Sequence, residues 1–392
     1  MTPAARAQAA IDLLDAWAPG RPMDRILTAW GRRARYAGSK DRAAVADLVY
    51  DALRRWRSLA WPESGAGGRA RVLALAEEAG ALDAWFDGSR HGPAPITAAE
   101  RARLDARAAG DPAPPEGVRL DLPDWLVGPM RAGLGPGGDA AILALGARAP
   151  VDLRVNRRRA TPEAARARLA EDGVETEAGP LSPLCLRVTS GARRLRAAGA
   201  WLEGWVEVQD AASQAAASFA QVRPGERALD LCAGGGGKAL ALAAEGAEVT
   251  AHDADPARMA DLPARAARAG VRVPRAERTP GGTFELVFVD APCSGSGAWR
   301  RNPDAKWALT PARLDELGGV QDAVLATAAT RVAPGGRLVY ATCSLLEEEN
   351  GAAVARFLSA PLGAAFRAGE TLRLDPRDGG DGFFAVRLWR DD

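Results

Sequence analysis

The 392-residue chain is poor in several residue types, and each shortage closes off a class of explanation. Its four cysteines, Cys185, Cys232, Cys293 and Cys343, are spread so widely that neither a disulfide framework nor a zinc-ligand pattern is available. With only two histidines in the chain, a metal site is not expected. Apolar runs fall short of the roughly 18 residues that a membrane span needs, and the opening MTPAARAQAAIDLLDAW lacks the basic-then-apolar layout of a signal peptide. These absences predict a cytoplasmic protein with reduced thiols, no membrane association and no metal. Lysine is scarce too: of 51 basic residues only Lys40, Lys238 and Lys306 are lysine. In a composition that has drifted so far towards arginine, the surviving lysines mark candidate positions where a compact ammonium is required.

What is present suits a globular chain of two or three domains, with 47% apolar and 26% charged residues. The net charge of +1 hides an uneven distribution. Residues 1–60 hold eleven Lys/Arg against six Asp/Glu, and LRVNRRRA at 153–160 packs four arginines into eight residues. Each patch reads either as a phosphate-attracting surface or as a solvated helix face. Up to about residue 110 the apolar spacing of AAIDLLDAW, DRAAVADLVYDALRRWRSLAW and VLALAEEAGALDAWF is helical, punctuated by Gly and Pro near 64–68 and 88–95. GDPAPPEG at 110–117 is a boundary signal. DWLVGPMRAGL, VDLRVN, TPEAARARLAEDG and LCLRV then read as helix, strand, helix and strand, a small α+β module.

From about 207 the pattern becomes strand alternating with helix. ERALDLC, EVTAHD, FELVFVD and RLVYATC are short apolar β-rich runs, which predicts an α/β fold with a parallel, doubly wound sheet and ligands at the carboxyl ends of its strands. Cys232, Asp253, Asp290 and Cys343 stand at those ends. LDLCAGGGGKALALAAEG combines a strand, a glycine-rich turn and a helix, allowing close approach of a ligand to the backbone. A phosphate-cradling P-loop is excluded because position 239 is Ala, and the dinucleotide pattern fails because it needs Gly there. A carboxylate at 253 suits ribose hydroxyls, so a ribose-bearing cofactor without a pyrophosphate, S-adenosylmethionine, fits what remains; a purely structural glycine turn is the alternative.

VDAPCSGSG (289–297) and YATCS (340–344) follow two of the strands. If those strands are neighbours, both thiols reach one crevice. Ser344 and Glu347 have capping-box spacing before EEENGAAVARFL, which predicts a helix start beside Cys343, a lowered thiol pKa there, and Cys343 as the nucleophile.

LDLCAGGGGKA, VDAPCSGSGAWRRNPDAKW and LVYATCSLLEEEN resemble the motifs of the RsmB/NOP2/Sun RNA 5-methylcytosine methyltransferases, and VQDAASQ (208–214) and DGFFAVRL (381–388) look like further family segments. RARYAGSKDRAAVADLVYDALRRWRSLAW resembles the NusB-like helical domain of bacterial members. The resemblance implies a NusB-like RNA-binding domain over 1–135, a small α+β RNA-binding module over 136–206, and a Rossmann-like class I S-adenosylmethionine methyltransferase domain over 207–392. It further implies methylation of cytosine C5 in RNA: Cys343 adds to C6, Asp290 holds the base edge and touches the cofactor, and Cys293 assists release. Cys232, Ala233, Gly234, Gly235, Gly236, Gly237, Lys238, Asp253, Glu277 and Asp290 would line the cofactor, with Glu277 beside the adenine. The family loop usually reads Cys-Ala-Ala-Pro-Gly-Gly-Lys-Thr/Ser; this chain departs from it with Gly234, Gly235 and Ala239. The expected substrate is 16S ribosomal RNA and the expected state a monomer. Transfer RNA is the alternative substrate, and a non-catalytic RNA-binding assembly factor is the alternative class, disfavoured by the presence of both cysteines. A nicotinamide oxidoreductase is disfavoured by the failed glycine fingerprint.

Overall fold

The computed structural model describes residues 1–63 and 66–392, so positions 64 and 65 of the turn read at 64–68 lie outside the described residues. Two compact units emerge, one formed by residues 1–148 with 299–310 and the other by 149–298 with 311–392.

The first unit is helical. Its longer helices are Pro3–Asp15, Met23–Arg33, Ser39–Arg54, Gly68–Glu78, Ala98–Ala109 and Asp124–Leu134. Their starts follow from local chemistry: the Thr2 side chain accepts from the Ala5 amide, and Thr97 with Glu100 forms a capping box. Leu14, Val45, Leu53, Leu73 and Leu104 form its core. The Pro-rich segment 110–117, read as a boundary, begins at a left-handed Gly110 cap and runs on inside this unit. Residues 299–310 belong here as well, although their sequence continues the VDAPCSGSG motif. The Lys306 ammonium donates to the Arg54 carbonyl (2.8 Å) and the Trp307 indole to that of Leu53 (2.7 Å). Both carbonyls end the helix Ser39–Arg54, where a cation satisfies otherwise orphaned acceptors. Lys306 is thus a buried helix cap, held down at about 8 by burial against the pull of Asp121.

The second unit holds two sheets. A small antiparallel sheet contains β1 (Asp152–Val155), β2 (Glu175–Ala178), β3 (Cys185–Ser190) and β4 (Val206–Val208), in the order β2-β3-β1-β4. Helix Pro162–Glu171 begins as its sequence predicts, with the Thr161 side chain accepting from Ala164 and Pro162 at the first turn. The large sheet contains β5 (Arg227–Asp230), β6 (Glu248–His252), β7 (Arg275–Ala276), β8 (Phe284–Asp290), β9 (Val332–Thr342), β10 (Phe366–Leu374) and β11 (Phe383–Arg390), ordered β10-β11-β9-β8-β5-β6-β7. Strands β5 to β9 pair in parallel, while β11 runs antiparallel between β9 and β10. Apolar layers cover both faces, with Leu240, Val249, Leu286 and Phe288 in one cluster and Leu229, Val287, Leu338 and Tyr340 in the other. That double burial explains why these strands read as continuous apolar runs.

The segment VQDAASQ ties the two sheets together. Gln209 accepts from Arg154 of β1 (2.7 Å), and Asp210 accepts from the Asp381 amide that precedes β11 (3.1 Å). Among the described residues no helix is long and apolar enough to cross a membrane.

Candidate active site

The strand order places β6, β5, β8 and β9 side by side, so the ends bearing Asp253, Cys232, Asp290 and Cys343 form one continuous rim. The order reverses between β5 and β8, which makes this rim a topological switch point, the usual ligand crevice of an open α/β sheet.

The glycine turn lies on that rim. Gly234 (φ +51°) and Gly236 (φ +81°) adopt left-handed backbone that side chains disfavour. The Gly234 amide donates to Asp253 Oδ2 (2.8 Å), and the Ala233 amide donates to the His252 carbonyl (2.9 Å). Asp253 also accepts from the Asp255 amide (3.0 Å) and pairs with Arg258 (3.2 Å). The carboxylate expected to meet a ribose therefore also pins the cofactor turn. Gly235 is exposed and Gly237 opens the helix Gly237–Ala244. Glu277 is exposed directly after β7. A side-chain-free turn, a helix start and two carboxylates at consecutive strand ends fit a nucleoside cofactor carrying a carboxylate tail. Cys232 packs partly buried against the core, and burial, followed by Asp230, pushes its thiol well up. It stays neutral.

Lys238 reaches the middle of the rim. Its ammonium donates to Asp290 Oδ2 (2.6 Å) and lies 4.9 Å from the centre of the Phe383 ring. Burial works against this charge, but Asp290, Cys343 and Asp230 outweigh it and hold the lysine above its ordinary value. Asp230, fully buried beneath, is pushed up to about 7 by burial and by Asp290, with Lys238 opposing. Between the unfolded value of 3.8 and about 7 the folded chain therefore keeps a proton that the unfolded chain has lost, and this group's contribution to stability falls as pH rises through that window. Thermal melts of Asp230→Asn should show a gain over wild type that is larger at pH 8 than at pH 5, on the order of 3 kcal/mol at most. A difference that does not change with pH would discard the buried-acid assignment.

The two thiols meet. Asp290 of β8 pairs with Ala341 of β9, and beyond them Cys293 Sγ and Cys343 Sγ stand 3.5 Å apart. The interaction with Cys343, then burial, raises the Cys293 thiol well above its ordinary value, so Cys293 keeps its proton and has it to share with Cys343. Cys185 is elsewhere, buried in β3 with its thiol pushed up to about 12 by burial.

The structure overturns the reason given for an activated Cys343. No α-helix begins at Ser344: a single 3₁₀ turn spans Glu347–Glu349 without a side-chain cap, and the α-helix covers only Gly351–Ser359. The Ser344 hydroxyl donates instead to Glu349 (2.5 Å) and accepts from the Leu346 amide (3.0 Å). The Lys238 ammonium, bonded to Asp290, interacts electrostatically with Cys343.

Glu349 escaped the sequence reading because it sits in an EEE run that looks like a solvated face. It is 1% exposed. Its carboxylate accepts from the Ser294 amide (2.8 Å) and hydroxyl (2.5 Å), from Ser344, and from Gln321 (3.1 Å), clamping the two cysteine loops together. Ser296 adds a second tie, accepting from the Leu345 amide (2.7 Å), and the Gly297 amide donates to the Cys343 carbonyl (3.0 Å).

A seven-stranded sheet of this order, with a glycine turn after its central strand, defines a class I S-adenosylmethionine-dependent methyltransferase. Residues 217–388 match the family described as 16S rRNA methyltransferase RsmB/F, and residues 122–193 match the RsmF/B-like ferredoxin-like domain. Among curated proteins, ribosomal RNA small subunit methyltransferase B of Salmonella arizonae is 35% identical over 287 residues, covering 69% of this chain and 67% of its own length. That of an Enterobacter species is 34% identical over 282 residues, covering 68% and 66%. Among solved structures, the crystal structure of PH0851 shares the fold with a TM-score of 0.74 at 23% identity, covering 99% of both chains. A methyltransferase homolog from Pyrococcus horikoshii gives 0.61 at 22% identity, covering 70% of this chain and 97% of its own. The chain belongs to the RsmB/F family of RNA methyltransferases, and its cofactor is S-adenosylmethionine.

Proposed function

We propose that this protein methylates C5 of a cytosine in 16S ribosomal RNA in the cytoplasm, with the helical domain (1–135) and the small module (136–206) holding RNA and the third (207–392) carrying out the transfer. The observation that carries the reading is the pair of thiols 3.5 Å apart at the ends of adjacent strands, beside Lys238 and Asp290. Methyl transfer to a nucleophilic nitrogen is a direct displacement that needs no thiol at all. Cytosine C5 is too weak a nucleophile for that and needs a second group to activate it and a route back.

When bound, the cofactor supplies an electrophilic methyl group at the rim. Cys343, as thiolate, forms a bond to C6, and the electron density displaced makes C5 nucleophilic. The Lys238 ammonium and the S–H of Cys293 are the groups that meet Cys343 as it attacks. Asp290 accepts from the exocyclic amine or the protonated ring nitrogen of the base, fixing its edge as charge develops. Once C5 is methylated its hydrogen must leave as a proton, after which the Cys343–C6 bond breaks and the ring regains its double bond. Alkylation of Cys343 removes its negative charge and with it the strongest influence keeping Cys293 protonated. Cys293 then gives its own proton up to solvent, and the resulting thiolate takes the C5 proton while the C5–H electron pair forms the ring double bond and expels Cys343 as thiolate. Glu277 and Asp253 would bracket the adenosine from strands β7 and β6.

The test is transfer of labelled methyl from S-adenosylmethionine to a 16S rRNA transcript, followed by digestion and mass analysis of the nucleosides. Labelled 5-methylcytidine is expected. Label in another nucleoside would refute the C5 assignment, and label confined to a transfer RNA pool would move the substrate.

A further inference from the structure

The helical unit carries a groove of about 1270 Å³, lined by residues of the helices Pro3–Asp15 and Met23–Arg33 and the segment 89–92. That is larger than the roughly 300–1,000 Å³ clefts that hold single small molecules. Arg21, Arg33, Arg90 and His91 line it against one carboxylate, Asp12, which accepts from Gln8 (2.7 Å). Tyr36, on its wall, is 72% exposed, and Trp30 beside it is half-buried.

What distinguishes this face is the state of its arginines. Elsewhere in the unit guanidinium groups close onto carboxylates, as in Arg55–Glu78 (2.7 Å), Arg69–Glu100 (2.6 Å) and Arg119–Asp139 (2.6 Å). In the groove, Arg21, Arg33 and Arg90 are all exposed, and among the described residues none has a carboxylate within ion-pair distance. Unpaired guanidinium groups along a groove present their charge to an external anion.

We propose that this groove binds a single-stranded segment of RNA, with Arg33 and Arg90 on its phosphates and a base stacked on Tyr36. Separate arginines along a groove suit the phosphates of a strand, and the exposed aromatic ring suits an unpaired base, because bases in a duplex are stacked on one another and cannot lay a face on it. The proposal deepens the RNA methylation reading and rests on RNA as the substrate.

Full-length protein is titrated with labelled oligouridine, alone and annealed to its complement, at several salt concentrations. Arg33→Ala with Arg90→Ala should weaken single-strand binding about tenfold and flatten the slope of log affinity against log salt by about 0.7 per arginine. Tyr36→Ala should weaken it about tenfold, while Tyr36→Phe stays near wild type. On 16S rRNA the same variants should raise KM and leave kcat unchanged. Unchanged affinity and slope in all variants, or equal weakening for the duplex, overturns the proposal and leaves the face to a protein partner or a helical RNA. The two readings separate cleanly: binding that tracks these residues without any methyl transfer would sink the activity and keep the groove, while normal transfer with silent variants would do the reverse.

Discussion

Cys343→Ala is expected to abolish methyl transfer, lowering kcat/KM by at least about 10³-fold, because without a thiolate at C6 the C5 carbon never becomes a nucleophile. Nothing else on the rim substitutes. Asp290 is a carboxylate already engaged by Lys238 at 2.6 Å, Cys232 is a neutral thiol packed against the core, and Cys293 keeps its proton while Cys343 faces it. Replacement by alanine leaves the loop's own ties in place, since those run through Ser344, Ser296 and the Cys343 backbone carbonyl. The variant should therefore melt like wild type and still bind S-adenosylmethionine, which isothermal titration checks. Retained labelled product from folded, cofactor-loaded Cys343→Ala would remove it as the nucleophile.

Cys293→Ala should behave oppositely, forming the bond to RNA but failing to let go. The attack step needs Cys343 and its Lys238 charge, both intact in this variant. The release step needs a base within reach of C5, and the only thiol adjacent to Cys343 is gone. A covalent protein–RNA species should accumulate with S-adenosylmethionine present, visible as a slow-migrating band in denaturing gels that disappears on RNase digestion. Turnover should fall by about 10²-fold or more. The double variant Cys293→Ala with Cys343→Ala should show no band. A Cys293→Ala enzyme that turns over normally without an adduct would transfer the release role to another group.

Both expectations depend on a geometry only partly legible in the sequence. That the thiols share a crevice was foreseen from two motifs at the ends of β-rich runs, and the parallel pairing of β8 with β9 bears that out. The strand-end rule put the glycine turn and Asp253 at the ligand crevice, and the structure adds a direct tie between them, from the Gly234 amide to that carboxylate. The helix start expected beside Cys343 is absent. Ser344 and Glu347 have capping-box spacing, but a local pattern competes with tertiary partners, and the buried Glu349 carboxylate captures the Ser344 hydroxyl. A charge in a low-dielectric interior draws hydrogen-bond donors more strongly than a helix start draws a cap. Lys306 shows the same limit. Its motif placed it beside VDAPCSGSG, yet the chain carries it into the helical unit to cap the helix Ser39–Arg54.

The sequence by itself determined the elements, the strand-end chemistry, the glycine turn and the family, because these depend on short-range patterns: apolar periodicity, turn residues, and motifs read within a dozen residues. Only the tertiary structure decided which groups act on one another. Lys238 rather than a helix end interacts with Cys343, Glu349 clamps the two cysteine loops, and the arginines lining the helical unit's groove have no carboxylate partner among the described residues. Each of these is a matter of distance between residues far apart in the chain and of how burial changes what a charge is worth, and neither quantity is written in local sequence.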